Sequence, residues 1–177
     1  MDIYEIVNEP EKQLEIFSDI IKKMNNIGDY EETLVNIISE IKNIMLTDTI
    51  LLYLIDQELF NLNYEMSIGP LGSKFFGSII DGEKPLSVRA YTTSSSLYSN
   101  NPQDDSAFIP IKEILGEDLK NILFVPLKAR KRNIGALFLI NKKDGKFIET
   151  DTIIMSMFSN IVSLEKQKRG TAPTNHF

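Results

Sequence analysis

Apolar residues recur along this chain at two different periods, and the change of period marks its elements. Leu34, Ile37, Ile38, Ile41, Ile44 and Met45 fall on one face of a 3.6-residue period behind Asp29-Tyr-Glu-Glu32, a capping signal. They predict a helix from Asp29 to Leu46. Thr49 to Ile55 is a continuous β-prone run, which predicts a strand covered on both faces. After a turn at Asp56 to Leu59, Phe60 to Met66 alternates apolar and polar as a half-exposed partner strand. Further on, Asn121 to Leu127 and Ile134 to Ile140 are apolar runs separated by Lys128 to Asn133, which predicts a hairpin. Pro126 lacks a ladder donor, so its end of the strand belongs at an edge or is irregular. A last helix is predicted from about Thr150 to Lys168, with Ile153, Ile154, Met157, Phe158, Ile161 and Leu164 as its apolar stripe.

The two ends and the middle read differently. Asn8-Glu-Pro-Glu11 is a helix start, and Asn25-Asn-Ile-Gly28 is its end. Val7, Leu14 and Ile21 repeat at seven, with Phe17 and Met24 at the d-like positions three residues after Leu14 and Ile21. These two heptads make Leu14, Phe17, Ile21 and Met24 the candidate dimer helix. In the middle, Gly69-Pro-Leu-Gly72 breaks the chain, Ser73 to Ile80 reads as a short helix, and Leu86 to Tyr91 as a short strand. Thr92 to Ser106 reads as loop, and Ile111 to Gly116 as a helical turn. The expected fold is therefore α+β: a central antiparallel sheet with N- and C-terminal helices on one face and short helices and loops on the other. Residues 1–28 form an appended helix, 29–168 the domain, and 169–177 a tail expected to be disordered. The irregular second layer, residues 69–118, is where a ligand cavity is expected. Its candidate lining is Phe75, Phe76, Ile79, Arg89, Tyr91, Thr92, Thr93 and Phe108.

Composition removes several kinds of chemistry. The 177 residues include no cysteine and a single histidine, His176, beside the C-terminus. No disulfide, cysteine-held metal, thioether-linked chromophore or histidine-ligated haem is therefore expected, and no metal site. Nor is a nucleophile, base and orienter set or a Gly-rich phosphate loop visible. The net charge of −6 argues against nucleic acid. The basic run Lys128-Ala-Arg-Lys-Arg132 is read as a solvated hairpin tip, and Asp104-Asp105 and Glu117-Asp118 as acidic pairs on loops. No run approaches the roughly 20 apolar residues that span a bilayer, and the start lacks a secretory pattern. A cytoplasmic protein without membrane contact is expected.

Val125-Pro-Leu127, Ile134-Gly-Ala-Leu137, Asn141-Lys142 and Phe147 to Asp151 occur in the order and spacing of a GAF domain. Over residues 29–168 the chain resembles this family of bacterial sensory modules. The resemblance implies a non-enzymatic domain that binds a small molecule, acts as a homodimer, and signals through its terminal helices to an output domain or partner signalling protein. GAF-like enzymes that reduce methionine sulfoxide work through cysteines, which are absent here. The alternatives are a dimerisation module without ligand and a cyclic-nucleotide receptor. Asn141, Lys142, Phe147 and Asp151 match four positions of the Asn-Lys-Phe-Asp-Glu motif of cyclic-nucleotide-binding members, with Thr152 in place of Glu. They are expected to brace the fold, Lys142 leaving a strand and pairing with Asp151 at a helix start.

Overall fold

A computed structural model describes residues 29–143 and 145–170, together with residues 9, 11, 12, 15, 16, 18, 19 and 22 of the preceding segment. The dimer-helix candidates Leu14, Phe17, Ile21 and Met24 and the tail from 171 lie outside the described residues. Helix α1 (Tyr30–Ile44) begins where its sequence signal places it, with the Asp29 side chain accepting the Glu31 N–H. Strands β1 (Thr47–Ile55) and β2 (Leu62–Ile68) follow, then a 3₁₀ turn (Gly72–Phe75) and the two-residue strand β3 (Ile79–Ile80). Next come helix α2 (Pro85–Thr92), strand β4 (Leu97–Ser99), a 3₁₀ turn at Ser106–Phe108 and helix α3 (Ile109–Leu115). Strands β5 (Ile122–Ala129) and β6 (Arg132–Lys142) and helix α4 (Glu149–Gly170) complete the order.

The six strands form one antiparallel sheet in the order β3-β2-β1-β6-β5-β4. Its central strands read as continuous apolar runs because alternate residues enter two different cores. Ile50 and Leu52 of β1 and Leu137 and Leu139 of β6 join α1 and α4 on one face. Leu51 and Tyr53, with Ala136 and Phe138, join Phe75, Leu86, Ala90, Phe108, Ile111 and Leu115 on the other. This is the α+β layering the sequence implies. Gly135 has a specific task in it: a Cβ there would meet the Tyr53 carbonyl oxygen at 2.2 Å, so β1 and β6 pair closely only over a glycine. Pro126 faces Ala136, whereas β4 pairs no further along β5 than Phe124, so the proline occupies free strand edge.

Three local expectations are corrected. Residues Leu86 to Tyr91 are helical, not a strand: Pro85 occupies the first helical positions, and Leu86 and Ala90, one turn apart, are buried while Val88 is partly exposed. Ser73 to Ile80 contains a single 3₁₀ turn and then β3 in place of a helix. The loop after Thr92 contains edge strand β4. On α4 the buried stripe also differs, with Met155 and Val162 buried and Ile153 and Leu164 exposed at 50% and 57%.

Candidate functional site

The structure disperses the eight candidate lining residues. Phe75 and Phe108 are fully buried within the second core, so they pack the layer together. Phe76 and Ile79 point outward, 85% and 63% exposed, which removes them from any interlayer cavity. Arg89 is half-buried, and its Nε has no hydrogen-bond partner among the described residues. Tyr91 and Thr92 do come together, at a cavity of about 300 Å³ at the rim between sheet and second layer. Thr93 stands next to it, its carbonyl accepting a 2.6 Å bond from Asn133 Nδ2.

Three distant segments build this rim cleft. The first is the β1–β2 turn, where Asp56 Oδ1 accepts the N–H groups of Glu58 (2.8 Å) and Leu59 (3.0 Å). These bonds, that from Leu59 first, hold the Asp56 carboxyl below the usual carboxylate range. The turn closes on Phe60, whose φ of 58° is rare for a bulky side chain. It sets the Phe60 ring 4.9 Å from that of Tyr91. The second segment is the end of α2, with Tyr91, Thr92 and Ser94. The third is the β5–β6 hairpin, whose register slips between Leu127 and Lys128: Leu127 faces Gly135, but Lys128 faces Asn133. Ile134 is therefore a bulge residue that packs on the first core, and the bulge turns Asn133 towards α2. Asn133 Nδ2 then donates to the carbonyls of Ala90 (2.7 Å) and Thr93 (2.6 Å), securing the helix end.

Lys128, Lys131 and Arg132 complete the lining, and the cleft has no acidic lining residue. Among the described residues no carboxylate pairs with any of these three cations. Only Lys128 meets a polar partner nearby, Ser94 Oγ at 3.5 Å. The hairpin tip, expected to be merely solvated, thus turns most of its charge into a concave, aromatic-walled space.

The opposite end of β6 carries the Asn-Lys-Phe-Asp motif residues in a different setting. Lys142 Nζ lies 2.7 Å from both carboxylate oxygens of Asp151, and both side chains are buried. Asp151 Oδ2 also accepts the Ile148 N–H at 2.9 Å, and the Phe147 ring centroid lies 5.8 Å from the ammonium. Asn141 takes φ 58°; its Oδ1 accepts the Lys120 N–H (2.8 Å) and its Nδ2 donates to the Asp118 carbonyl (2.7 Å). Two further asparagines, not singled out in the sequence, complete the arrangement. Asn100 exchanges two 2.9 Å bonds with the Phe147 backbone, and Asn121 bonds both Lys142 N–H and the Gly145 carbonyl. Their signal was faint, since isolated asparagines at loop and strand ends are ordinary.

A family model described as GAF domain matches residues 28–164. The chain belongs to the GAF domain family. Among solved structures it is similar to the GAF domain of a phosphoenolpyruvate-protein phosphotransferase from Coxiella burnetii, at 16% identity and a TM-score of 0.73, covering 90% of this chain and 96% of that one. It is also similar to the GAF domain of a two-component sensor histidine kinase from Bacillus halodurans (18% identity, TM-score 0.63, covering 81% and 97%). A third is free methionine-R-sulfoxide reductase from Neisseria meningitidis in complex with its substrate (18% identity, TM-score 0.68, covering 86% and 87%). No curated protein matches the chain. Among the described residues no helix is long and apolar enough to cross a membrane, and no group of acidic or histidine side chains is placed to hold a metal ion.

Proposed function

We propose that this chain is a non-enzymatic sensory or regulatory domain that binds a small molecule in the rim cleft and passes its occupancy to the terminal helices. The observation that carries the reading is the cleft itself: a cavity assembled by a turn, a helix end and a bulged hairpin, with its cations unpaired by the described residues. Membership of the GAF family and the likeness to a domain of a sensor histidine kinase support a regulatory role. A non-enzymatic role also accords with a chain that lacks cysteine, although one similar structure is a reductase. The hairpin that lines the cleft continues into β5 and β6, whose Val125, Leu127 and Leu137 pack with α4 in the first core. Half-buried Ile16 of the leading segment packs there too, so the strands of the cleft's hairpin run on into the core on which the terminal helices pack. A ligand that favours one hairpin position shifts that packing only through differential affinity. Dimerisation through Leu14, Phe17, Ile21 and Met24 would couple two such domains, and an output domain or partner signalling protein would read the helices.

The test has two arms. Native mass spectrometry of the protein as purified, followed by melting-temperature measurements across a metabolite library, is expected to reveal one stabilising class of compound. In sedimentation experiments, Phe17→Asp with Ile21→Asp is expected to convert dimer to monomer. A library without any stabilising compound would refute ligand sensing, and a wild-type monomer would refute the dimer.

A further inference from the structure

The tip of the β5–β6 hairpin carries four cations, but they are divided between two sides. Arg130, at the turn with φ 56°, lies on the side of Lys166, whereas Lys128 and Lys131 line the rim cleft, and Arg132 reaches both. A tip charged only for solubility has no reason to gather three cations around an aromatic pair, because like charges in a shared concavity repel. The cations are not serving the end of α2 either. Its Ala90 and Thr93 carbonyls are already occupied by the Asn133 amide, which the bulge at Ile134 re-aims for that purpose. The space of about 300 Å³ is at the lower end of ligand cavities. Phe60 and Tyr91, their rings tilted 47° to each other, supply the aromatic wall, and Ser94 supplies a hydroxyl donor beside Lys128, whereas the Thr92 hydroxyl already donates to the Val88 carbonyl.

We propose that the rim cleft takes a compact organic anion, its phosphate or carboxylate held by Lys128, Lys131 and Arg132 and its flat body lying against Tyr91. The assignment deepens the sensory reading above and rests on it. Arginine and lysine together suit an oxyanion, arginine by its planar fork and the lysines as point charges. In a chain of net charge −6 this cleft is a local inversion of sign, which draws an anion to one place on the surface. The anion in turn relieves the mutual repulsion of the cations and tethers the hairpin to the end of α2. That tether is the movable contact a sensor needs.

Four probes separate the components of the claim in NMR titrations of the full chain at low ionic strength. Phenyl phosphate and benzoate present the same ring with different anions, benzamide is the neutral counterpart, and inorganic phosphate is the charge without the ring. Expected is binding of phenyl phosphate or benzoate in about the millimolar range appropriate to so small a molecule, with shifts at Tyr91, Thr92 and the hairpin. Whichever of the two binds more tightly identifies phosphate or carboxylate as the recognised group, and benzamide and inorganic phosphate bind at least about fivefold more weakly. Lys131→Glu with Arg132→Glu, both at exposed positions, weakens the anion at least tenfold while leaving the urea midpoint in place. Tyr91→Leu weakens it several-fold. Failure of both anions to bind, or equal binding by the charge-reversed variant, would overturn the proposal. A neutral library compound that binds the cleft equally well in wild type and charge-reversed protein would overturn the anion assignment and leave the sensory reading standing.

Discussion

Lys142 and Asp151 offer the sharpest quantitative test of how this fold is held. Their side chains are 5% and 0% exposed, and the ammonium lies 2.7 Å from each carboxylate oxygen, so the pair sits in low dielectric with bidentate geometry. Replacing Lys142 with Met removes one charge and leaves the other buried, with the Ile148 N–H at 2.9 Å as its remaining described donor. Breaking such a pair costs about 3–5 kcal/mol. For a chain of 177 residues that corresponds to a fall in melting temperature of roughly 6–20 °C. The double variant Lys142→Met, Asp151→Leu has no stranded charge. Its cost is the orphaned Ile148 N–H, about 1–3 kcal/mol, well below the sum of the two single variants. Urea unfolding of the wild type, both singles and the double closes the cycle. A Lys142→Met cost under about 1 kcal/mol, the value for an exposed pair, would refute the reasoning, as would a double variant whose loss equals the sum.

Two other predictions concern the sheet. Burial raises the Tyr53 hydroxyl to about 12, against a smaller lowering by its hydrogen bond to Ser78 Oγ and a small further rise from Tyr64. The protonated form is thus favoured in the fold. The associated stability is present below about pH 10, the unfolded value, and is lost as pH rises through about 12, on the order of 2–3 kcal/mol in all. Stability measured from pH 9 to 12 should fall more steeply in wild type than in Tyr53→Phe; equal slopes would exclude Tyr53 as the source. Gly135→Ala places a methyl 2.2 Å from the Tyr53 carbonyl oxygen and 3.2 Å from Leu54 Cα. It should destabilise the domain by about 1–3 kcal/mol in urea unfolding, and an unchanged midpoint would show that β1 and β6 separate freely.

The parts of the fold visible in the sequence are those whose partners are themselves strongly patterned. α1, β1, β5, β6 and α4 carry long apolar runs, and their order alone implies a covered sheet. The second layer is harder because its elements are short. Leu86, Val88 and Ala90 fit a strand as well as one turn of helix, and only Pro85 tips the balance. β4 is three residues among serines, with no periodicity to detect. The rim cleft was half legible: Tyr91 and Thr92 stood out as candidates, but the basic run Lys128 to Arg132 did not. Its role depends on the bulge at Ile134 and on the left-handed Phe60, and both arise from pairings between distant segments. Local sequence gives no measure of such pairings.

The signature residues and the proposed ligand residues occupy opposite ends of the same strand. β6, 11 residues long, starts in the cleft with Arg132 and Asn133 and finishes at Asn141 and Lys142, roughly 33 Å away. α4 connects the same two ends: its first turn holds Asp151 against Lys142, and its Lys166 and Gln167, roughly 22 Å further along the helix, lie beside Arg130 and Arg132. Its 22 residues rise roughly 33 Å, so one helix is pinned at the motif and reaches the hairpin at its far end. Under the proposed function, a ligand that moves the hairpin acts on the far end of a helix, where Lys166 pairs with Glu65 of β2, while its start is fixed by a buried ion pair. The motif residues then serve as the anchor of α4 in this chain, and they carry no information on the ligand because the proposed ligand lies at the other end.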